Sequence, residues 1–209
     1  ELVIGESGVS ALESFFQART HMYRDIYYHG TSRLGEKLHE LLIERAREVF
    51  KDGRLTWADP DMRTVLASES VDQLQLEAIL NMTEHWWGYH VQRWTTEPDP
   101  ILADLATRIV ARDTIFKEWP HTTENAQLIR KMIEDSHFDP RYYYVELPPA
   151  QVKVAKDLSA AMRVRLDNGQ LVPLTEYSEV LGAMSSLQTI STPGLIGAPM
   201  EIWKGRSVH

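Results

Sequence analysis

The residue of this chain best equipped for chemistry is Arg19. With residues 11–29 set on a helical wheel at 100° per residue, Leu12, Phe15, Phe16, Met22, Tyr23, Ile26 and Tyr27 gather on one face. His29 stands at its edge, and Glu13, Gln17, Thr20, His21 and Arg24 lie opposite. Arg19 falls in the middle of the apolar face, where an unpaired guanidinium costs several kcal/mol once it is buried. It needs an anion, from the protein or from a ligand. Tyr23 and Tyr27 follow at i+4 and i+8, so their hydroxyls run along the same side. A planar five-donor fork flanked by tyrosines suits a phosphate gripped through two parallel hydrogen bonds. The same pattern also suits a plainer arrangement. The arginine can bridge to a carboxylate of the chain or snorkel to water, with the tyrosines serving as core residues. Periodicity leaves both open.

The rest of the chain offers few competitors. Its eight histidines are 21, 29, 39, 85, 90, 121, 137 and 209, and none is followed by aspartate. His85 and His90 are five apart and splay across different helix faces, so they read as surface or capping residues. His39-Glu40 does not extend to a His-Glu-x-x-His zinc motif, because position 43 is Ile. There is no phosphate-binding Walker loop and no Gly-x-Ser-x-Gly elbow. Zero cysteines remove disulfides, thiolate zinc sites and cysteine nucleophiles together. Trp86, Trp87, Tyr89 and Trp94 read as packing rather than base stacking. Glu134-Asp135 reads as a solvated helix end, and Arg163 and Arg165, with Lys153, as the wet face of a small sheet. No residue of this chain is therefore assigned a catalytic or metal-binding role.

The elements that must carry Arg19 come next. The 209 residues are 43% hydrophobic and 25% charged, a globular composition that excludes wholesale disorder. A net charge of −8 disfavours nucleic acid as a partner. No apolar run approaches the ~20 residues that span a bilayer. A helix is expected over 11–29, with Ser10 as its N-cap and Glu13 three positions on. Gly30, Thr31 and Ser32 interrupt it, and a second helix runs to Gly53 on Leu34, Leu38, Leu41, Leu42, Ala46 and Val49. One or two helical turns are expected over 60–68. One helix over 70–94 is opened by Ser70 and Gln73, one over 99–112 by Asp99-Pro100, and one runs from Thr122 or Thr123 to His137. Beyond it, 141–147 reads as a strand, and 162–166 with 171–174 as a hairpin around Asp167-Asn168-Gly169. A small helix over 175–184, a loop over 193–199 and a last strand over 200–203 close the pattern. The fold class is mainly α, with a helical body of five to six helices over 1–138 and a small α+β appendage over 139–209.

Residues 10–42, SALESFFQARTHMYRDIYYHGTSRLGEKLHELL, resemble the HD-domain phosphohydrolases related to deoxynucleoside triphosphate triphosphohydrolases. In that family a helix of the form F…R…Y-x-x-V/A-Y-x-H follows the last metal-binding aspartate. The resemblance continues through 70–94 and through PDPILADLATRIVARDTIFKEW (98–119), where Arg112 and Lys117 stand in a basic stretch. It implies that Arg19 contacts the triphosphate of a nucleotide, that Tyr27 packs near its sugar or phosphates, and that His29 lines the phosphate end. Tyr23 stands where relatives carry an aromatic or a histidine. Tyr28 replaces a residue that helps read deoxyribose in one branch, and Gly30 replaces a basic residue near that branch's allosteric nucleotide. Neither deoxyribose selectivity nor allosteric activation is carried over.

The family's H…HD…D metal set is missing from the sequence, so the resemblance implies a C-terminal portion of a longer enzyme whose metal half lies upstream of Glu1. The expected partners are a nucleoside triphosphate, that missing half and further copies of the same chain, in a cytoplasmic protein without a membrane segment. A divalent metal belongs to the complete enzyme, and this chain alone is expected to be inactive. Two alternatives stand beside this reading: a non-catalytic helical interaction module, and a degenerate relative that binds nucleotide without hydrolysing it.

Overall fold

The computed structural model describes residues 2–112, 116–152, 162–186 and 189–204. Lys153 lies outside them. The longer helices, in chain order, are α1 (Val9–Met22), α2 (Gly30–Lys51), α3 (Pro60–Ala67), α4 (Leu76–Asn81), α5 (Glu84–Trp94), α6 (Pro100–Ala111), α7 (Thr123–Glu134) and α8 (Glu179–Ser186). Short strands and one-turn helices make up the rest, so the fold is mainly α with a small β part that includes the expected hairpin.

The chain forms two compact units, one of residues 1–32 with 147–195 and the other of 33–146 with 196–209. That differs from the expected division at residue 138, because the first residues are a strand. Leu2–Gly5 pairs in parallel with Met162–Arg165, Leu2 opposite Met162 and Gly5 opposite Arg165. Met162–Arg165 pairs antiparallel with Leu171–Pro173. The hairpin turns through Gly169 at φ 85°, a left-handed conformation that glycine adopts without a Cβ penalty. Behind this sheet Val9 and Phe16 of α1 pack with Val164, Leu174 and Leu181. The expected N-cap is displaced: α1 starts after Gly8 without a side-chain cap, and Glu13 accepts a hydrogen bond from Ser178 Oγ at 2.6 Å. A two-stranded ladder of Ala150–Val152 with Ile190–Thr192 completes the first unit.

The second unit is built on α2, whose Leu34, Leu38, Leu42, Ala46 and Val49 are wholly buried. The helix starts directly at Gly30, so the expected gap at 30–32 closes into it. Asp59, Thr83, Asp99 and Thr122 cap α3, α5, α6 and α7, each accepting from a backbone N–H with its side chain. The Thr83 cap cuts the single helix expected over 70–94 into α4 and α5; Ser70 caps only a short 3₁₀ turn, Val71–Gln73. Helix α7 ends at Glu134, short of His137.

Three expectations about strands are corrected. Asp139 caps a helical turn over Pro140–Tyr143, so only Val145–Leu147 of the segment 141–147 is strand. Leu195–Ala198 is not loop but the fully buried central strand between Lys117–Pro120 and Val145–Leu147. The expected final strand is a helical turn, Glu201–Lys204. Gly197 permits the central strand its place, since a Cβ there would sit 2.2 Å from Leu34 Cδ2.

The buried carboxylates of this unit, Glu97 and Asp99, are paired. Glu97 accepts from Thr56 N, Thr56 Oγ1 and Trp57 N at 3.1, 2.7 and 3.1 Å. Asp99 accepts from Arg45 Nε and Nη2 at 2.9 and 2.6 Å, and from Arg54 Nη1 at 3.1 Å. Glu48 takes Arg45, Arg141 and the Tyr142 hydroxyl. The arrangement satisfies the rule that a buried charge is paired or absent.

Candidate functional site

The helix that carries Arg19 does not run on regularly to His29. After Met22 it widens into one π turn, Tyr23–Tyr27, with the Tyr28 amide donating to Tyr23 O at 2.9 Å across five residues. Such widenings occur often at functional sites, because one extra residue per turn rotates the side chains that follow. Three of the candidate residues stand in a row that runs from α1 into this turn. The Arg19 guanidinium carbon lies 4.9 Å from the centre of the Tyr23 ring, and the Tyr23 and Tyr27 rings are 5.3 Å apart. Tyr28 stacks on Tyr23 at 6.3 Å. Arg19 and Tyr23 are half-buried and Tyr27 is exposed. Stacking over the Tyr23 ring orients the plane of the Arg19 guanidinium.

His29 does not join the row. It is exposed, and its Nδ1 accepts from the backbone N–H of Thr31 at 3.3 Å, an arrangement that opens α2. Next to the row, Arg24 and Asp25 form an exposed pair at 2.7 and 3.0 Å, and the hydrogen bonds from Arg24 hold the Asp25 carboxyl below its usual range. Sequence reasoning missed Asp25, since neighbours at i and i+1 point to different faces of a regular helix.

The apolar face of this segment is divided otherwise than the wheel implied. Phe16 is buried, but Phe15, Met22 and Ile26 are 57%, 43% and 56% exposed. Burial follows Val9, Leu12 and Phe16 toward the sheet, leaving a second apolar stripe on the outside. Trp86, Trp87 and Trp94 behave as packing residues, each indole N–H spent inside the second unit. Trp86 donates to Asp59 Oδ2, Trp87 to His39 Nδ1 and Trp94 to Trp57 O. His90 is not a surface residue: it is fully buried among Trp57, Trp86 and Trp94, with Nδ1 2.8 Å from Trp86 O and Nε2 3.5 Å from Asp59 Oδ1. His121 is paired to Glu146 at 2.5 Å, with Tyr144 on the other carboxylate oxygen. Among the described residues no three His, Asp or Glu side chains gather as a metal site, and no helix is long and apolar enough to cross a membrane.

Residues 1–85, which include the whole Arg19 row, match a family model described as the HD associated region. The chain is 26% identical over 195 residues to YwfO, an uncharacterized protein of Bacillus subtilis (strain 168), covering 88% of this chain and 44% of that protein. Its fold is similar to that of a phosphohydrolase from Bacteroides thetaiotaomicron, with a TM-score of 0.76 at 20% identity over 95% of this chain and 52% of that one. A hypothetical protein from Aquifex aeolicus matches with a TM-score of 0.53 at 18% identity, over 97% and 45%. The chain thus spans about half the length of each of these relatives.

Proposed function

We propose that this chain is the polyphosphate-gripping and assembly portion of a metal-dependent HD phosphohydrolase acting on nucleoside or deoxynucleoside triphosphates. The observation that carries the reading is the Arg19–Tyr23–Tyr27 row, which runs from α1 into a π turn within the residues that match the HD associated region. Arg19 supplies the charge and two parallel N–H donors to a phosphate, and the tyrosine hydroxyls donate further along the polyphosphate. His29 stands two residues beyond Tyr27 and serves the outer end of the same anion. The likeness in fold to the Bacteroides phosphohydrolase supports phosphohydrolysis as the reaction class. The resemblance of residues 10–42 to the HD-domain phosphohydrolases related to deoxynucleoside triphosphate triphosphohydrolases supports a nucleotide as the substrate class.

The described residues offer no cage for the divalent ion that the family uses, so no step through a metal is assigned to this chain. In the longer protein such an ion would supply the activated water. This chain's part is to neutralise and orient the triphosphate. Alone it positions a substrate without a nucleophile, and its rate stays near background. The outer stripe of Phe15, Met22 and Ile26 serves contact with a second copy of the chain.

The deciding comparison is Arg19→Ala against wild type in the full-length protein, with triphosphate release as the readout. Loss of the charge-assisted hydrogen bonds raises KM sharply or cuts kcat/KM. Unchanged kinetics remove Arg19 from the site. The purified 209-residue chain, given Mn²⁺ or Mg²⁺, releases no triphosphate; metal-dependent turnover by it would overturn the division of labour. Binding without turnover is read by thermal shift, since a ligand at 100 times its dissociation constant adds about 2.7 kcal/mol.

A further inference from the structure

We propose a second ligand site in the helical unit, a cavity for a small flat organic anion with an apolar body and one carboxylate or phosphate end. It measures about 270 Å³ and is lined by His39, Trp87, Gly88, Val91, Ile109, Val110 and Arg112. None of these residues belongs to the Arg19 row.

Three features of the wall point to such a ligand. The first is the tautomer of His39. The Trp87 indole can only donate, and it donates to His39 Nδ1 at 2.9 Å. His39 Nδ1 must therefore carry a lone pair, which leaves the proton on Nε2. Burial pushes the ring toward the same neutral form. His39 is thus fixed as an Nε2–H donor on the wall of a cavity.

The second feature is Gly88. It sits inside α5, where glycine destabilises a helix relative to alanine. No neighbour demands it, because a Cβ built there meets nothing within 4 Å. What glycine preserves at this position is the open floor beside the Trp87 ring. The third is Arg112. It closes α6 in the left-handed conformation, at φ 59° and ψ −26°, with its N–H on Arg108 O. Glycine takes that place at little cost, whereas a side chain there is strained. Arg112 has no ion pair with a described residue, and it is part of the cavity lining.

Local stability would exchange these two residues, a side chain at 88 and glycine at 112. The chain has the reverse, and the reverse leaves an aromatic and aliphatic slot whose lining includes a cationic residue and an N–H donor. Val91, Ile109 and Val110 with the indole hold an apolar body, while Arg112 and His39 Nε2–H hold an anionic end.

The test uses benzoate and phenyl phosphate as probes, with benzamide as the neutral isostere, on the ¹⁵N-labelled full chain. In the free protein His39 Nδ1 should resonate as an unprotonated nitrogen and Nε2 as a protonated one. Benzoate or phenyl phosphate should shift the Trp87 indole and the His39 Nε2–H saturably, at least tenfold more tightly than benzamide. The tighter of the two anions identifies the head group. Arg112→Gln and Gly88→Ala should each weaken binding at least tenfold. Arg112→Gly separates function from fold: it should raise the melting temperature while weakening binding at least tenfold. The proposal is overturned if neither anion binds more tightly than benzamide, if Arg112→Gly binds like wild type, or if His39 carries its proton on Nδ1. None of these outcomes bears on the Arg19 row, which triphosphate release tests.

Discussion

Replacing Asp99 by Asn removes one charge from the centre of the helical unit and changes little else. Asp99 is only 5% exposed, and its carboxylate holds Arg45 through two hydrogen bonds and Arg54 through one while capping α6 at Leu102 N. Asparagine is as good a cap, so the helix start survives and the ion pairs do not. Burial alone would push the Asp99 carboxyl up. Arg45, the Leu102 amide and Arg54 outweigh it and hold the group down to about 2, from an ordinary 3.8. At about 1.36 kcal/mol per tenfold, that displacement is worth about 2.4 kcal/mol. Leaving Arg45 with Glu48 alone adds to the cost, so Asp99→Asn should lose about 2.5–4 kcal/mol at pH 7. The pH dependence has a fixed sign. A carboxyl whose pKa is depressed by folding stabilises above its unfolded value and loses that contribution as pH falls through the folded one. The gap between wild type and Asp99→Asn should therefore be constant above about pH 5 and close between about pH 4 and pH 2. Urea titrations followed by tryptophan emission report this, since Trp57 and Trp94 lie in the same unit. Asp52→Asn serves as control: its side chain is 59% exposed, it bonds the same Arg54, and it should cost under about 0.5 kcal/mol. A gap below about 1 kcal/mol at pH 7, or one unchanged at pH 3, would refute the reasoning.

Gly197→Ala should destabilise by about 1–3 kcal/mol through overpacking against Leu34. Leu34→Ala in the same chain should then cost less than it does alone, which a double-mutant cycle in urea would show. Thr83→Ala removes the N-cap of α5 and should cost about 1 kcal/mol, with Thr83→Asp restoring stability; equal melting of all three proteins would deny the cap its role. For assembly, the chain at ~50 µM, above typical weak dissociation constants, should scatter light as a dimer or larger. Phe15→Ser with Ile26→Ser should return it to a monomer, and a wild-type monomer at that concentration would remove the interface.

Much of this molecule is legible in order along the chain, because the signals involved are local. The spacing of Leu34 to Val49 names the buried face of α2, Asp99-Pro100 names the start of α6, and Asp167-Asn168-Gly169 names the hairpin turn. Each depends on residues within a turn or two of one another. The approach of Arg19, Tyr23 and Tyr27 is likewise an i, i+4, i+8 relation, so it can be read from spacing alone. What the tertiary structure decided concerns partners far apart in sequence. Leu2–Gly5 is a strand because Met162–Arg165 offers it a ladder, and Leu195–Ala198 is a strand because two others flank it. Neither backbone pairing leaves a mark in the pattern of either segment alone. Which apolar face of α1 is buried was decided the same way: Val9 and Phe16 meet Val164 and Leu181, and Phe15 and Ile26, equally apolar, meet nothing in that core. The tautomer of His39 hangs on Trp87, 48 residues away, and the strain at Arg112 is a property of backbone angles that residue type does not announce. Local chemistry sets which elements this chain can form, while burial and long-range pairing choose which faces and which edges they use.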